Sequence, residues 1–310
     1  MDLSIVTTLY YAAPYLQEFC TRIQKQAEGI TLDYEIILVN DGSPDESLDI
    51  AVSLHEQNAK IQVVDLSRNF GHHKAIMTGI SYASGQLVFV TECDLEVNPE
   101  YLTMFHDKIL ETGSDVVFGV QQTRHGPFLR RSAGRMFYKL FNWLTSDPLP
   151  KNLINVRLMS RRYVDALLEH REREVFIGGL WVSTGFHQVP LVVDKPYKGS
   201  STYNLGRQIA MVVNAITSFS NKPLVYIFYL GIAIFAVAGI AALALVIRRL
   251  VFGALLEGWP SLIVSIWLLG GLNVLCLGII GVYLSKVFME TKQRPYTIVR
   301  EVYGNLLSDE

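Results

Sequence analysis

Residues 34–46 read YEIILVNDGSPDE. The first half is apolar and rich in strand-forming side chains. It stops at Asp41-Gly42-Ser43-Pro44, a cluster of turn formers, so a buried strand ending in a turn is expected. Ser43 with Glu46 three residues on makes a capping box for a helix, and Pro44 suits its first position. A strand that hands over to a helix in this way is half of a βαβ unit, and the pattern repeats outward in both directions. Upstream, residues 3–9 (LSIVTTL) form a strand and residues 14–26 a helix opened by Pro14. Downstream, the helix runs to about residue 58, with strands expected at 61–66, 87–91 and 115–120. A loop at 68–74 leads to a helix that Gly85 closes, and another helix covers 99–111. Strands alternating with helices imply an α/β domain with a mostly parallel sheet. Such sheets bind ligands beyond the carboxyl ends of their strands, and polar clusters fall there: residues 7–11, 40–45, 67–74 and 92–96. After Val120 the alternation ends. Residues 124–143 read as a loop and a basic amphipathic helix, and residues 156–168 as a strand or turn followed by a helix.

The C-terminal third differs. Residues 224–247 and 261–284 are apolar runs with few or no charges, and a helix crossing a hydrocarbon core needs roughly 20 such residues. In lipid a helix of that length satisfies its own backbone, so a two-helix transmembrane hairpin is expected. Residues 205–219 form a helix that either lies in the membrane interface or packs on the soluble domain. The expected division is a catalytic domain at 1–204, a juxtamembrane helix at 205–222, two spans within 223–286 and a tail at 287–310. In the tail, residues 296–303 (YTIVREVY) alternate like a strand. That strand is expected to pair with a neighbouring subunit's sheet, which makes a homo-oligomer, up to a tetramer, an expectation.

Half of the 310 residues are hydrophobic and 18% are charged, as for a soluble domain joined to two spans. A net charge of -2 gives no global basic signal for nucleic acid. Cys20, Cys93 and Cys276 share no metal-ligand spacing and read as free thiols in a reducing compartment. The N-terminal Met1-Asp2-Leu3-Ser4 lacks a basic region, so no signal peptide is expected and the catalytic domain is placed in the cytoplasm. Lys222, Lys286, Lys292 and Arg294 favour both hairpin ends on that side, whereas Arg248 and Arg249 in the connecting loop argue the other way.

Three clusters carry chemistry. Asp41 ends a strand and either reads a nucleobase or ribose or serves its turn alone. Glu92, Asp94 and Glu96 share a face if the chain there is extended. Their mutual repulsion would be relieved by Mg²⁺ or Mn²⁺, which take carboxylates together with diphosphate oxygens; a solvated strand end is the alternative. Arg124, His125, Arg130, Arg131 and Arg135 form a basic group suited to phosphate through the planar guanidinium fork; a solvated basic helix face, or attraction to anionic headgroups in general, is the alternative. His72-His73 reads as a loop or phosphate contact rather than a metal pair, because adjacent side chains diverge. No HExxH, GxGxxG or P-loop is present.

Taken as an ordered set, these stretches resemble the polyprenyl-phosphate glycosyltransferases of glycosyltransferase family 2, the branch with dolichyl-phosphate mannose synthase and the bactoprenol glucosyltransferases. The matching stretches are YEIILVNDGS (34–43), LSRNFG (66–71), ECDLE (92–96), RLMSR (157–161), ITSFSNKPL (216–224) and KQRP (292–295). The resemblance implies a GT-A fold and inverting transfer from a nucleotide sugar, with UDP-glucose as the expected donor, to a polyprenyl phosphate such as undecaprenyl phosphate. It implies a nucleotide site at Thr7, Leu9, Tyr10, Asp41, Ser67, Lys74, Glu92 and Asp94. The metal would sit on Asp94 and Glu96, and the lipid phosphate on Arg124, Arg130, Arg131 and Lys198. Asp94, Arg124 and Arg131 would carry catalysis, at the inner membrane of a bacterium.

The chain departs from that pattern at several positions. Glu92 stands where Asp is usual, Asn155 where many relatives have Asp, and Gly178 where Arg is frequent. Trp181 is offset, and Lys195 and Lys198 occupy a loop that usually bears arginine. The missing acid at 155 fits a phosphate acceptor. A hydroxyl needs a general base, but a phosphate monoester, with a second pKa near 6, is already largely dianionic. A processive synthase and a transferase-like scaffold that has lost catalysis are the rival readings.

Overall fold

The computed structural model describes residues 1–121, 139–145, 148–194, 213, 216–252 and 258–305. The basic group Arg124, His125, Arg130, Arg131 and Arg135, the loop lysines Lys195 and Lys198, and most of the expected juxtamembrane helix lie outside the described residues.

In chain order the elements are β1 (Leu3–Leu9), α1 (Ala13–Glu28), β2 (Tyr34–Asn40), α2 (Ser47–Gln57), β3 (Ile61–Leu66), α3 (His72–Tyr82), β4 (Leu87–Val90) and α4 (Tyr101–Thr112). They continue as β5 (Val116–Val120), β6 (Leu153–Ser160), α5 (Arg161–Leu168), α6 (Ile177–Ser183), β7 (Gln188–Val192), α7 (Lys222–Phe252), α8 (Trp259–Thr291) and β8 (Val299–Tyr303). All eight strands belong to one sheet, ordered β7-β5-β6-β4-β1-β2-β3-β8. Six run the same way; β6 is antiparallel to β4 and β5, and β8 to β3. The mostly parallel α/β sheet and the two long apolar helices are thus both present.

Every residue of β2 is buried, as expected of a central strand covered on both faces. Ile36 and Leu38 face the core formed with α1, α2 and α4. Ile37 and Val39 face the second core, against α3, α5 and α6.

Several local expectations are corrected. The capping box does not form: α2 starts at Ser47, and Ser43 Oγ instead donates to Asp45 Oδ1 at 2.5 Å and accepts the Tyr11 N–H at 2.8 Å. Ser43 therefore ties the end of β1 to the end of β2. Gly85 does not close α3, which ends at Tyr82. It is needed because a Cβ there would lie 2.5 Å from the Ser4 backbone nitrogen. The tail strand pairs within its own chain: β8 lies antiparallel on β3, with Val63 opposite Tyr303. The backbone pairing expected between subunits is thus made in cis. The hairpin α7–α8 is an insertion between two strands of one sheet, not an appendage after it.

Large apolar side chains cover the outside of that hairpin, among them Phe235 at 82% and Trp267 at 79% exposure. Polar contacts to the sheet domain gather at its two ends. Lys222 Nζ donates to the carbonyls of Trp143 and Thr145, and Tyr283 donates to the Ser220 carbonyl at 2.6 Å. Lys286 pairs with Glu174 at 3.2 Å, and the Arg173 N–H donates to Glu290.

Candidate active site

β1 and β4 lie side by side where the strand order reverses, and their carboxyl ends form one edge. This is the place where open α/β sheets hold ligands. β6 runs the other way with Arg157 opposite Val90, so Asn155 comes level with Glu92. The first turn of α3 delivers His72 to the same edge.

Glu92, Asp94 and Glu96 are half-buried, and one oxygen of each lies within 4.8 Å of the others. Strand alternation does not bring them together. The chain turns here, with Leu95 at φ 58° and the Glu96 N–H donating to Asp94 Oδ1 at 2.9 Å. The donor set is all carboxylate oxygen, which suits Mg²⁺ or Mn²⁺.

Behind this turn runs a polar chain. Asn155 Nδ2 donates to Glu92 Oε1 at 2.8 Å and lies 3.0 Å from His72 Nε2. His72 Nδ1 is 2.9 Å from Thr8 Oγ1. The neighbouring His73 turns inward, its ring edge-on to Phe176. Burial, with some help from His72, pulls its pKa down to about 4. The two histidines diverge as expected, but they start α3 rather than sit in a loop. Burial likewise pushes the Cys93 thiol up to about 12, which keeps it protonated between the acids.

Asp41 is only 2% exposed. Its carboxylate accepts the backbone N–H of Phe70 at 2.7 Å and of Gly71 at 3.0 Å. Burial raises its pKa, against the opposing pull of those two donors. Beside it Gly42, at φ +59°, lets the backbone of Arg68 and Asn69 pack where a Cβ would stand 2.5 Å away. Asp41 and Gly42 therefore form the pad on which the 68–71 loop rests. β8 secures the same loop from the other side, because Arg300 pairs with the buried Asp65 and donates to the Ser67 carbonyl at 2.8 Å.

The remaining expected residues divide. Tyr10 is exposed, and Ser67 and Lys74 are half-buried at the same edge as the acidic turn. Thr7 and Leu9 are both 0% exposed, inside the sheet domain. In β1 it is Thr8 that reaches the edge. The LSIVTTL run offers two adjacent threonines, and only the register decides between them. Arg157, which opens the RLMSR stretch, is 1% exposed, and its guanidinium lies 3.0 Å from the centre of the Trp181 ring, a contact that no local pattern announces. Burial lowers its pKa to about 9. The offset Trp181 is thus the stacking partner of the arginine in the RLMSR stretch.

The model of glycosyl transferase family 2 matches residues 4–166. The chain belongs to this family, and its sheet is of the GT-A type. It is 52% identical over 308 residues to a protein of Mycobacterium tuberculosis described as "Putative glycosyltransferases", covering 99% of this chain and 90% of that protein. It is 34% identical to an uncharacterized glycosyltransferase of Synechocystis, over 98% of this chain and 96% of the relative. A prophage bactoprenol glucosyl transferase homolog of Escherichia coli is 29% identical, over 97% of this chain and 99% of that protein.

Proposed function

We infer that this glycosyltransferase moves the sugar of a nucleotide sugar onto a polyprenyl phosphate at a bacterial inner membrane, with inversion at the anomeric carbon. The observation that carries the reading is a carboxylate turn, Glu92 to Glu96, in a sheet domain whose own strand order is interrupted by two exposed apolar helices. A domain built this way can take one substrate from water and one from lipid. The bactoprenol glucosyl transferase relatives support the acceptor class, with undecaprenyl phosphate the first choice and UDP-glucose the first donor.

Asp94 and Glu96 would hold Mg²⁺ or Mn²⁺, which when bound supplies positive charge for the departing diphosphate. The loop resting on Asp41 and the Ser67–Lys74 edge would receive the nucleotide. Asn155, an amide, cannot act as a base, and a phosphate acceptor does not ask for one. Arg124, Arg130, Arg131 and Lys198 are proposed for the lipid phosphate on the resemblance alone. Both hairpin helices are proposed to span the bilayer, with the sheet domain cytoplasmic. A homo-oligomer up to a tetramer stays a proposal, now without a strand exchanged between subunits.

The test is nucleoside-diphosphate release by the purified full chain in detergent with Mn²⁺ or Mg²⁺, across nucleotide sugars, with and without undecaprenyl phosphate. Release that requires the lipid and prefers one donor is expected. Asp94→Asn should lower it by about a thousandfold, the several kcal/mol a catalytic metal supplies, with an unchanged melting temperature. Intact nucleotide binding with no lipid-dependent release from any donor would favour the scaffold reading. Full activity in Asp94→Asn would remove the metal assignment.

A further inference from the structure

Glu92 and Asn155 touch each other. Asn155 Nδ2 is 2.8 Å from Glu92 Oε1 and 3.0 Å from His72 Nε2. An amide nitrogen carries two hydrogens, one for each of these acceptors. His72 then accepts at Nε2 and carries its own proton on Nδ1, facing Thr8 Oγ1 at 2.9 Å. The chain Thr8–His72–Asn155–Glu92 draws on β1, α3, β6 and the turn after β4, so four separate elements fix the pose of one carboxylate. That carboxylate lies within 4.8 Å of the oxygens of Asp94 and Glu96.

The geometry is selective in both directions. Aspartate at 92 is shorter by one carbon–carbon bond, about 1.5 Å, and would leave the Asn155 amide without its acceptor. Aspartate at 155 would set a second carboxylate 2.8 Å from Glu92 Oε1, where like charges repel. Changing both separates the two acids by the length that was removed.

We propose that Asn155, backed by His72, is a positioning residue for Glu92, and that residues 92 and 155 form a matched pair. A long acid goes with an amide, or a short acid with an acid, and neither mixed combination serves. The inference rests on the cation reading of Asp94 and Glu96. Asn155→Asp adds a negative charge beside the cation while pushing Glu92 out of its pose. Cation affinity and turnover therefore move in opposite directions, which a simple loss of packing does not produce.

The experiment compares the full-length wild type, Glu92→Asp, Asn155→Asp and the double variant in detergent. Mn²⁺ affinity is read by electron paramagnetic resonance, turnover by lipid-dependent diphosphate release, and folding by melting temperature. Asn155→Asp is expected to bind Mn²⁺ about threefold to tenfold more tightly from the added charge. Its kcat should fall about 10–100-fold, the usual effect of disturbing a group that orients a metal-site residue. The double variant should regain about tenfold in kcat over Asn155→Asp, a non-additivity expected only of coupled neighbours. Additive losses in the double variant, or Mn²⁺ affinity, kcat and melting temperature all falling together, would overturn the pairing. A wild type that turns over but binds no Mn²⁺ would overturn the cation reading instead, and the pairing would then be judged on non-additivity in kcat.

Discussion

Leu38 in β2 is 0% exposed and Leu268 in α8 is 70% exposed, and both stand in runs of apolar residues. The difference lies in what the neighbours supply. A strand cannot satisfy its own backbone, so β2 is enclosed by β1 and β3 and buried from both faces. A helix pairs its backbone internally, so α7 and α8 can leave their side chains facing outward. In water that outward face would be costly, at about 25 cal/mol per Å² of apolar surface. In lipid it costs nothing. The sheet domain is therefore held by packing, whereas the hairpin turns an apolar face outward and meets the rest of the chain through polar anchors at its ends: Lys222, Tyr283, Lys286 and Glu290.

The largest test of this contrast is one substitution made in both regions. Leu38→Ala is expected to destabilise the sheet domain by about 2–5 kcal/mol, the range for an emptied core site. Leu268→Ala should leave domain melting unchanged within about 0.5 kcal/mol, as for an exposed position. Thermal unfolding of the detergent-solubilised full chain measures both. Equal losses would mean that α8 is packed as a core helix after all.

A smaller test uses glycine. A Cβ at Gly79 would stand 2.4 Å from Val6 Cγ1 and 2.8 Å from Val39 Cγ2, whereas a Cβ at Gly270 meets nothing within 4 Å. Gly79→Ala should cost about 1–3 kcal/mol by overpacking α3 against the sheet. Gly270→Ala should cost nothing and favour its helix by up to about 1 kcal/mol. A destabilising Gly270→Ala would show that a second element, in this chain or a second copy, packs against α8 there.

The same contrast explains how much of the molecule was legible in its sequence. Strands and long apolar helices announce themselves by local runs of apolar residues, and so the order of elements, the mostly parallel sheet and the helical hairpin could be read directly. The acidic triplet was legible as composition, but its geometry was not. The residues meet through a turn at Leu95 rather than through strand alternation, and a positive φ leaves no local mark on a leucine. Whatever depends on register was hidden. Asn155 meets Glu92 only because β6 runs antiparallel to β4, and Thr8 rather than Thr7 reaches the edge. YTIVREVY was readable as a strand but not as a partner of β3, because its mate lies more than two hundred residues away. Arg157 and Trp181 were each noticed, yet their stacking depends on how α6 folds back over β6.

The finest test sits in an aromatic cluster of the sheet domain that leads up to the hairpin. His73 packs against Phe176, and Phe176 in turn meets Phe141 and Phe219, the last only three residues before α7. Burial holds the folded-state pKa of His73 at about 4, below its ordinary 6.5. The folded chain therefore keeps this imidazole neutral, while the unfolded chain takes up a proton as pH drops through 6.5. In that interval the unfolded state binds more protons, so stability rises with pH. Its contribution is complete above about pH 6.5 and is lost as pH falls toward 4. Asp115 is held below its ordinary value of 3.8, chiefly by Arg162, so its own loss begins only at the acid end of this window. Between pH 7 and pH 5 the melting temperature of the wild type should fall, and His73→Phe, which keeps an aromatic ring against Phe176, should flatten that part of the slope. Identical slopes in the two proteins would mean that His73 is solvated in the folded chain and that the contact with Phe176 is not a packed one.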